Sequence, residues 1–418
     1  MTTREHDVPP AGATAVQVRT ERIGTADYLR LTWRRIVGGE TGALPVIGGL
    51  VLVSIVFQSL NPRFLTAGNL VNLLVQAAVF ALFGMAEVFV LLLGEIDLSA
   101  GFVAGISAVV VAWLVQPQVA WPWWAAILAA LAAAALIGLL QGTLFARVGL
   151  PSFVVTLGGQ LFWQGVMLFV LGSGGAILIQ DRVVNGIASA TLSPLLGWVV
   201  MLVAVAAFGV VAWRRDARRR ELGLAAAPAT LTAAKIVAGL VAGVALVLLA
   251  NTNRGVLSQV RGLPWVVLLV LGVLFVWAYL LQRRRFGLYV YAIGGNAEAA
   301  RRAGVHLVRV RILSFVLCSL TAGIAGVVYA SRLRSISTSI QGGTLVLYGI
   351  AGAVIGGTSL FGGRGKVVHG VLGGFVIAAI DNGMGLLGFS AAAKNTVTAV
   401  VLIAAVTIDA LARRRRPA

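Results

Sequence analysis

Twelve apolar runs of 15–25 residues, separated by short polar gaps, constrain this chain more than any other feature. They occupy residues 43–60, 70–93, 100–116, 122–146, 151–171, 195–213, 236–250, 263–282, 312–330, 344–360, 370–387 and 395–412. About 20 apolar residues in a helix cross the bilayer core, and a helix satisfies its own backbone polar groups there. The chain therefore reads as an all-α, polytopic membrane protein with about twelve transmembrane helices, lodged in the cell membrane. Composition agrees. Of 418 residues, 59% are hydrophobic and only 11% are charged, against about 25% charged in a soluble domain, which excludes a soluble enzyme. The 51 glycines suit close packing of membrane helices. A lone cysteine, Cys318, excludes an intrachain disulfide framework or a Cys-rich zinc site.

The formal net charge of +19 is not arranged as a nucleic-acid surface, which would interleave basic residues with aromatics. It gathers in a few polar gaps: residues 4–35, Arg214–Arg220, Arg283–Arg311 and Arg413–Arg416. Basic loops stay inside. Twelve crossings then place both termini in the cytoplasm, with 26 Lys and Arg inside and 7 outside, Arg332 and Arg334 among the latter. The organisation that follows is a polar cytoplasmic arm, 1–42, a transmembrane domain, 43–412, and a basic cytoplasmic tail, 413–418. The arm lacks the apolar core of a signal peptide. Inside the membrane domain lie two basic cytoplasmic loops, 214–235 and 283–311. Several runs are short or broken by glycine, so one or two are candidates for re-entrant segments, whose backbone must be buried in protein or face a cavity.

Polar residues that interrupt the runs are the candidate functional groups. Gly94-Glu95-Ile96-Asp97-Leu98-Ser99-Ala100-Gly101 places two carboxylates between long apolar runs. It reads either as a short turn in which Asp97 or Ser99 caps the next helix, or as a broken helix whose polar residues line a pathway. Glu87 lies deeper, where a carboxylate normally faces the bundle interior or water. Gln160 and Gln164, four apart, share one helix face. They suit helix–helix hydrogen bonding and equally a neutral polyhydroxyl solute. Asp381 and Asn382 interrupt another apolar run, in a pathway role or a packing role. Gly356–Gly363 echoes Gly94–Gly101 in the pattern Gly-x-x-x-Leu-x-x-Gly, as internally repeated transporters do.

The segment Gly294-Gly295-Asn296-Ala297-Glu298-Ala299-Ala300-Arg301-Arg302-Ala303-Gly304 predicts a short helix outside the membrane. Asn296 caps it, Glu298 sits in its first turn, Arg301 and Arg302 in its last, and Gly304 stops it. Its Ala-rich face suits docking to a cytoplasmic partner rather than burial in lipid. No Walker A sequence is present; Gly362-Gly363-Arg364-Gly365-Lys366-Val367 lacks the spacing and the Ser or Thr. His6, His306 and His369 are dispersed, and no nucleophile–base pair or metal-ligand spacing appears. Neither a catalytic residue nor a metal or cofactor is expected.

Four strings carry a resemblance: Gly94-Glu95-Ile96-Asp97-Leu98-Ser99; Leu150-Pro151-Ser152-Phe153-Val154-Val155-Thr156-Leu157; Tyr291-Ala292-Ile293-Gly294-Gly295-Asn296-Ala297-Glu298-Ala299-Ala300; and Ile355-Gly356-Gly357-Thr358-Ser359-Leu360. In this order, from about residue 45 to the C-terminus, they resemble the permease subunits of bacterial sugar ABC importers, the ribose/xylose/galactoside type. Within that family the chain is most similar to the D-xylose permeases, whose extra pair of spans corresponds to the basic loop 213–235 and its flanking helices. Glu95 stands where many relatives carry Gly. The resemblance implies two permease copies forming the pathway, a cytoplasmic ABC ATPase subunit acting on the loop around Gly295–Gly304, and an extracytoplasmic sugar-binding protein. The competing reading is a proton-coupled secondary sugar transporter using Glu87, Asp97 or Asp381 as relay.

Overall fold

The computed structural model describes residues 44–222, 227–255 and 259–414. The expected polar arm, 1–42, and the last four residues of the basic tail lie outside them. Each of the twelve apolar runs carries one helix. In chain order the helices are α1 (Leu44–Leu60), α2 (Ala67–Leu91), α3 (Ala100–Leu114), α4 (Trp123–Thr143), α5 (Ser152–Leu171), α6 (Arg182–Ser189), α7 (Pro194–Glu221), α8 (Ala229–Asn251), α9 (Trp265–Arg283), α10 (Arg285–Gly295), α11 (Ala297–Arg302), α12 (Leu307–Leu333), α13 (Gly342–Ile355), α14 (Val367–Leu386) and α15 (Ala391–Arg414). Eight of them, α2, α4, α5, α7, α8, α9, α12 and α14, are long and apolar enough to cross a membrane, while α1, α3 and α13 are shorter apolar helices.

Local chemistry sets the boundaries. Gly149 and Gly304 adopt left-handed backbone, at φ +82° in each case; Gly149 ends the π-helical turn Leu144–Val148 that continues α4, and Gly304 follows the end of α11. Ser193 caps α7 with Pro194 at its first position. Asp181 accepts the backbone N–H groups of Val183 and Val184 to start α6, a helix the apolar pattern does not predict. Nor does it predict the short antiparallel ribbon of β1 (Ala176–Leu178) and β2 (Ser335–Ser337), which pairs Ile177 with Ile336. Single apolar residues in short polar gaps leave too little periodicity to read.

Two expected loops are largely helical. The gap 214–235 is crossed by α7, which runs through the arginines to Glu221, and α8 resumes at Ala229. Arg and Ala are strong helix formers, and Asp216, buried at the helix contact, accepts the Thr232 hydroxyl at 2.9 Å and ties the two ends together. The gap 283–311 holds α10 as well as α11, and α12 begins at Leu307.

The centre of the bundle is built by α2, α12 and α14, with α3 and α13 between them. Small residues let backbones touch there: Gly84 against Gly370, Gly352 against Gly373, Gly326 against Ala104. Large apolar side chains of α1, α5, α7, α8 and α9 point outward and remain exposed, as lipid-facing helices require. At one end of the bundle, below called the basic end, the turns 92–99 and 356–366 meet the α10–α11 segment.

Candidate functional site

At the basic end the chain leaves α2, turns at Gly94 (φ +80°) and runs back inward. Asp97 is completely buried beside Glu87, which lies one turn inside α2. α3 starts within the bundle rather than at its surface. A Cβ on Gly101 would overlap the Gly342 carbonyl, so the first turns of α3 and α13 meet backbone to backbone. Both helices are short because both begin there.

Asp97 Oδ1 accepts from the Ser99 backbone N–H at 2.9 Å and from the Ser99 hydroxyl at 2.6 Å. This closes an Asx turn. Asp97, not Ser99, therefore organises the entry to α3, and Ser99 makes no cap bond of its own. The Ser99 hydroxyl also lies 2.9 Å from Oε1 of Gln141 on α4. One hydroxyl proton serves one acceptor, so turning that amide over lets its N–H donate to Ser99. Cys318 of α12 lies against Asp97 and within electrostatic reach of Glu87, and neither oxygen of Glu87 has a side-chain hydrogen-bond partner among the described residues. Glu95 is separate: its carboxylate accepts from the Ser152 hydroxyl at 2.5 Å and ties the turn to the start of α5.

A second polar cluster sits at the opposite end. Asp381 of α14 accepts from the Gln76 amide of α2 and pairs with Lys394 of α15 at 3.2 Å. Its neighbour Asn382 exchanges hydrogen bonds with Asn69, at 2.8 and 3.1 Å, and approaches Gln76 at 3.4 Å. Arg332 and Tyr329 of α12 and Tyr348 of α13 lie within electrostatic reach of Asp381. Asp381 and Asn382 thus face helices rather than lipid. Amides, a carboxylate and an ammonium together present donors and acceptors of the kind that hydroxyl groups exchange with. Gln76 and Glu87 are eleven residues apart on α2, so the two clusters are about 16 Å apart along its axis.

Gln160 and Gln164 are half-buried on α5 and bond to neither cluster; the Gln160 amide lies against Gly343 at the start of α13. A hollow between α3 and α5, lined by Ile106, Val109, Trp113 and Val166 among others, is wholly apolar and offers a polyhydroxyl solute nothing. Among the described residues no group of three or more His, Cys, Asp or Glu is placed to hold a metal ion.

The expected short helix is present as α11. Asn296 Oδ1 accepts the Ala299 N–H at 2.9 Å. Glu298 pairs with Arg301 at 2.9 Å and Arg302 at 3.1 Å, and those hydrogen bonds hold its carboxyl below the ordinary glutamate range. The residues divide by face. Glu298, Ala299, Arg301 and Arg302 are exposed, whereas Ala300 is buried against the bundle, so only Ala299 of the two alanines is open to a partner. Gly294 also faces inward. Its backbone touches the Leu92 carbonyl and Gly363, whose N–H donates to Leu92 at 2.9 Å. The two Gly-rich echoes therefore meet, at the root of α11. The Tyr291 hydroxyl adds a 2.8 Å bond to the Gly365 carbonyl, and burial pushes that phenol above its ordinary value.

Asn69, Gln76, Gln141 and Lys394 do not stand out in the sequence. Asn69 and Gln76 are seven apart, two helical turns, so they share a face; that spacing is a usable signal. Gln141 and Lys394 sit near helix ends, where polar residues are ordinary.

Polar clusters held between helices at both ends of a polytopic helical bundle, with an exposed capped helix at the basic end, are the arrangement of a membrane transport subunit. The chain belongs to the family described as branched-chain amino acid transport system / permease component, which matches residues 69–406. It is 32% identical over 375 residues to the xylose transport system permease protein XylH of Escherichia coli (strain K12), covering 88% of this chain and 92% of that one. It is 30% identical over 366 residues to the ribose import permease protein RbsC of the same strain, covering 87% and 92%. For that strain's D-allose transport system permease protein AlsC the figures are 28% over 363 residues, covering 87% and 90%. No solved structure matches.

Proposed function

We propose that this permease carries a monosaccharide, D-xylose first among the candidates, into the cytoplasm as part of an ABC importer. The similarity over most of the chain to permeases named for xylose, ribose and allose supports the sugar class, and of these three the xylose permease shares the most identity, 32% against 30% and 28%. In this reading the chain crosses the membrane twelve times with both termini cytoplasmic, and two copies enclose the pathway. An extracytoplasmic sugar-binding protein delivers the solute to the end that carries Asp381, Asn382, Gln76 and Lys394. The Glu87–Asp97–Ser99 cluster lies toward the exit. A cytoplasmic ATPase subunit seats α11 through Ala299 and its flanking charges, and the Gly294–Leu92–Gly363 contact carries its movement to the turn that holds Asp97. The sugar needs no chemistry from the chain, only polar groups that replace its hydration.

The test is uptake of labelled D-xylose, D-ribose and D-allose by proteoliposomes holding the permease with its ATPase and binding protein. ATP-dependent uptake with xylose preferred is expected, with none by the permease alone. Uptake by the permease alone under a proton gradient would replace this reading with the secondary-transporter one. Ala299→Trp should abolish ATPase co-purification while leaving the membrane level of the permease unchanged; full ATPase retention with wild-type transport would remove α11 from the coupling role.

A further inference from the structure

We infer that the basic end of the α7–α8 hairpin is a binding site for anionic phospholipid headgroups. The argument starts from helix length. α7 has 28 residues, about 42 Å, whereas the hydrocarbon core is about 30 Å thick. With its apolar part in the core, the excess of about 12 Å corresponds to the stretch from Trp213 to Glu221, which therefore lies at headgroup depth.

Charge is the second observation. The two hairpin ends carry Arg214, Arg215, Arg218, Arg219, Arg220 and Lys235 against Asp216 and Glu221. Asp216 is already committed, to Thr232 and Arg215, with Lys235 in reach. Arg220 is held by the Ala227 carbonyl at 2.8 Å and lies 5.7 Å from the Trp213 ring. Arg214, Arg218 and Arg219 are exposed and have no acidic partner within salt-bridge distance among the described residues. The Asp216–Thr232 bond holds the two helix ends together, so these three guanidiniums project from a fixed frame.

The third observation says what covers them. The helices immediately beneath the arginines present large apolar side chains outward, Val203, Val211, Val237 and Val241 each 57–63% exposed. The buried contacts that tie the hairpin to the bundle, around Val71, Leu192, Ala250 and Leu263, are at its other end. The helices just below the basic end are thus surrounded by acyl chains, and a headgroup is the anion that arrives with them at the level of the arginines. Guanidinium forks pair with phosphate oxygens in bidentate fashion, and basic clusters just beyond a span attract anionic lipid. The site is independent of which sugar is carried.

The experiment uses the full chain in nanodiscs of phosphatidylcholine with and without phosphatidylglycerol, followed by measurement of the lipid retained on delipidation. Two triple variants are compared: Arg214→Gln with Arg218→Gln and Arg219→Gln, and a charge-matched control, Arg283→Gln with Arg284→Gln and Arg285→Gln. The first should retain phosphatidylglycerol at least about tenfold less tightly, the control at wild-type strength. Equal loss in both, or in neither, would overturn the site. Displacement of the lipid by millimolar inorganic phosphate would make it a free-phosphate site and would equally overturn the inference. Should the first variant fail to accumulate, brominated phosphatidylglycerol should quench the Trp213 signal, defined by difference from Trp213→Phe, more than brominated phosphatidylcholine does; equal quenching refutes the inference.

Discussion

Replacing Gly101 by Ala adds one methyl group at the point where α3 and α13 meet. Its Cβ would sit 2.6 Å from the Gly342 carbonyl carbon and nearer still to the oxygen. Relaxed carbon contacts are about 3.5–4.0 Å, so the two backbones must part by roughly 1 Å. Neither has slack. Gly342 is itself closed in by the Phe102 ring, and α3 is anchored through Ser99 and Asp97 to Gln141. Overpacking of this kind costs about 1–3 kcal/mol, against which Ala gains about 1 kcal/mol in helix propensity over Gly. Gly158 on α5 isolates that second quantity, because nothing lies within 4 Å of its would-be Cβ. The assay is thermal unfolding of the purified permease followed by tryptophan fluorescence, with uptake measured in parallel. Gly158→Ala should melt at or above the wild-type temperature and transport normally. Gly101→Ala should melt lower and transport more slowly, since the shift drags the Asp97 turn with it. If Gly101→Ala melts and transports like the wild type, the backbone contact between the two helix starts is wrong.

Two further outcomes follow from the polar groups. Asp381→Asn leaves the Lys394 ammonium, about a quarter exposed, without its carboxylate; the loss should shrink when Lys394→Gln is added, with a coupling of about 1–2 kcal/mol in a double-mutant cycle, and strictly additive losses would dismiss the pair. Glu298 has a lowered carboxyl pKa in the folded chain, so its contribution to α11 is complete above the ordinary glutamate value of about 4.3 and is lost as pH falls through the lower folded value; ATPase binding should be level from neutral pH down to that region in the wild type, and a mid-range transition near pH 6 that disappears in Glu298→Gln would contradict the assignment.

The sequence by itself determined the class. Apolar runs of helix length leave no soluble solution, and the helices lie where those runs lie, because in lipid each segment must satisfy its own backbone. It also determined α11, since caps, charges and a stop glycine are local signals read within one turn of their effect. The tertiary structure alone decided which polar residues meet. Asp381 and Gln76 are 305 positions apart, and Glu87 reaches Asp97 only because the chain after α2 turns back inward. Ala299 and Ala300 are equivalent as letters, and only packing turns one outward and the other into the bundle. The arginines after Trp213 read as a loop because charge resembles a gap in hydropathy; they stay helical because Asp216 finds Thr232 across the hairpin. Periodicity reports the face a residue occupies, but the partner on that face depends on how distant helices cross, and here glycine contacts between backbones decide the crossings.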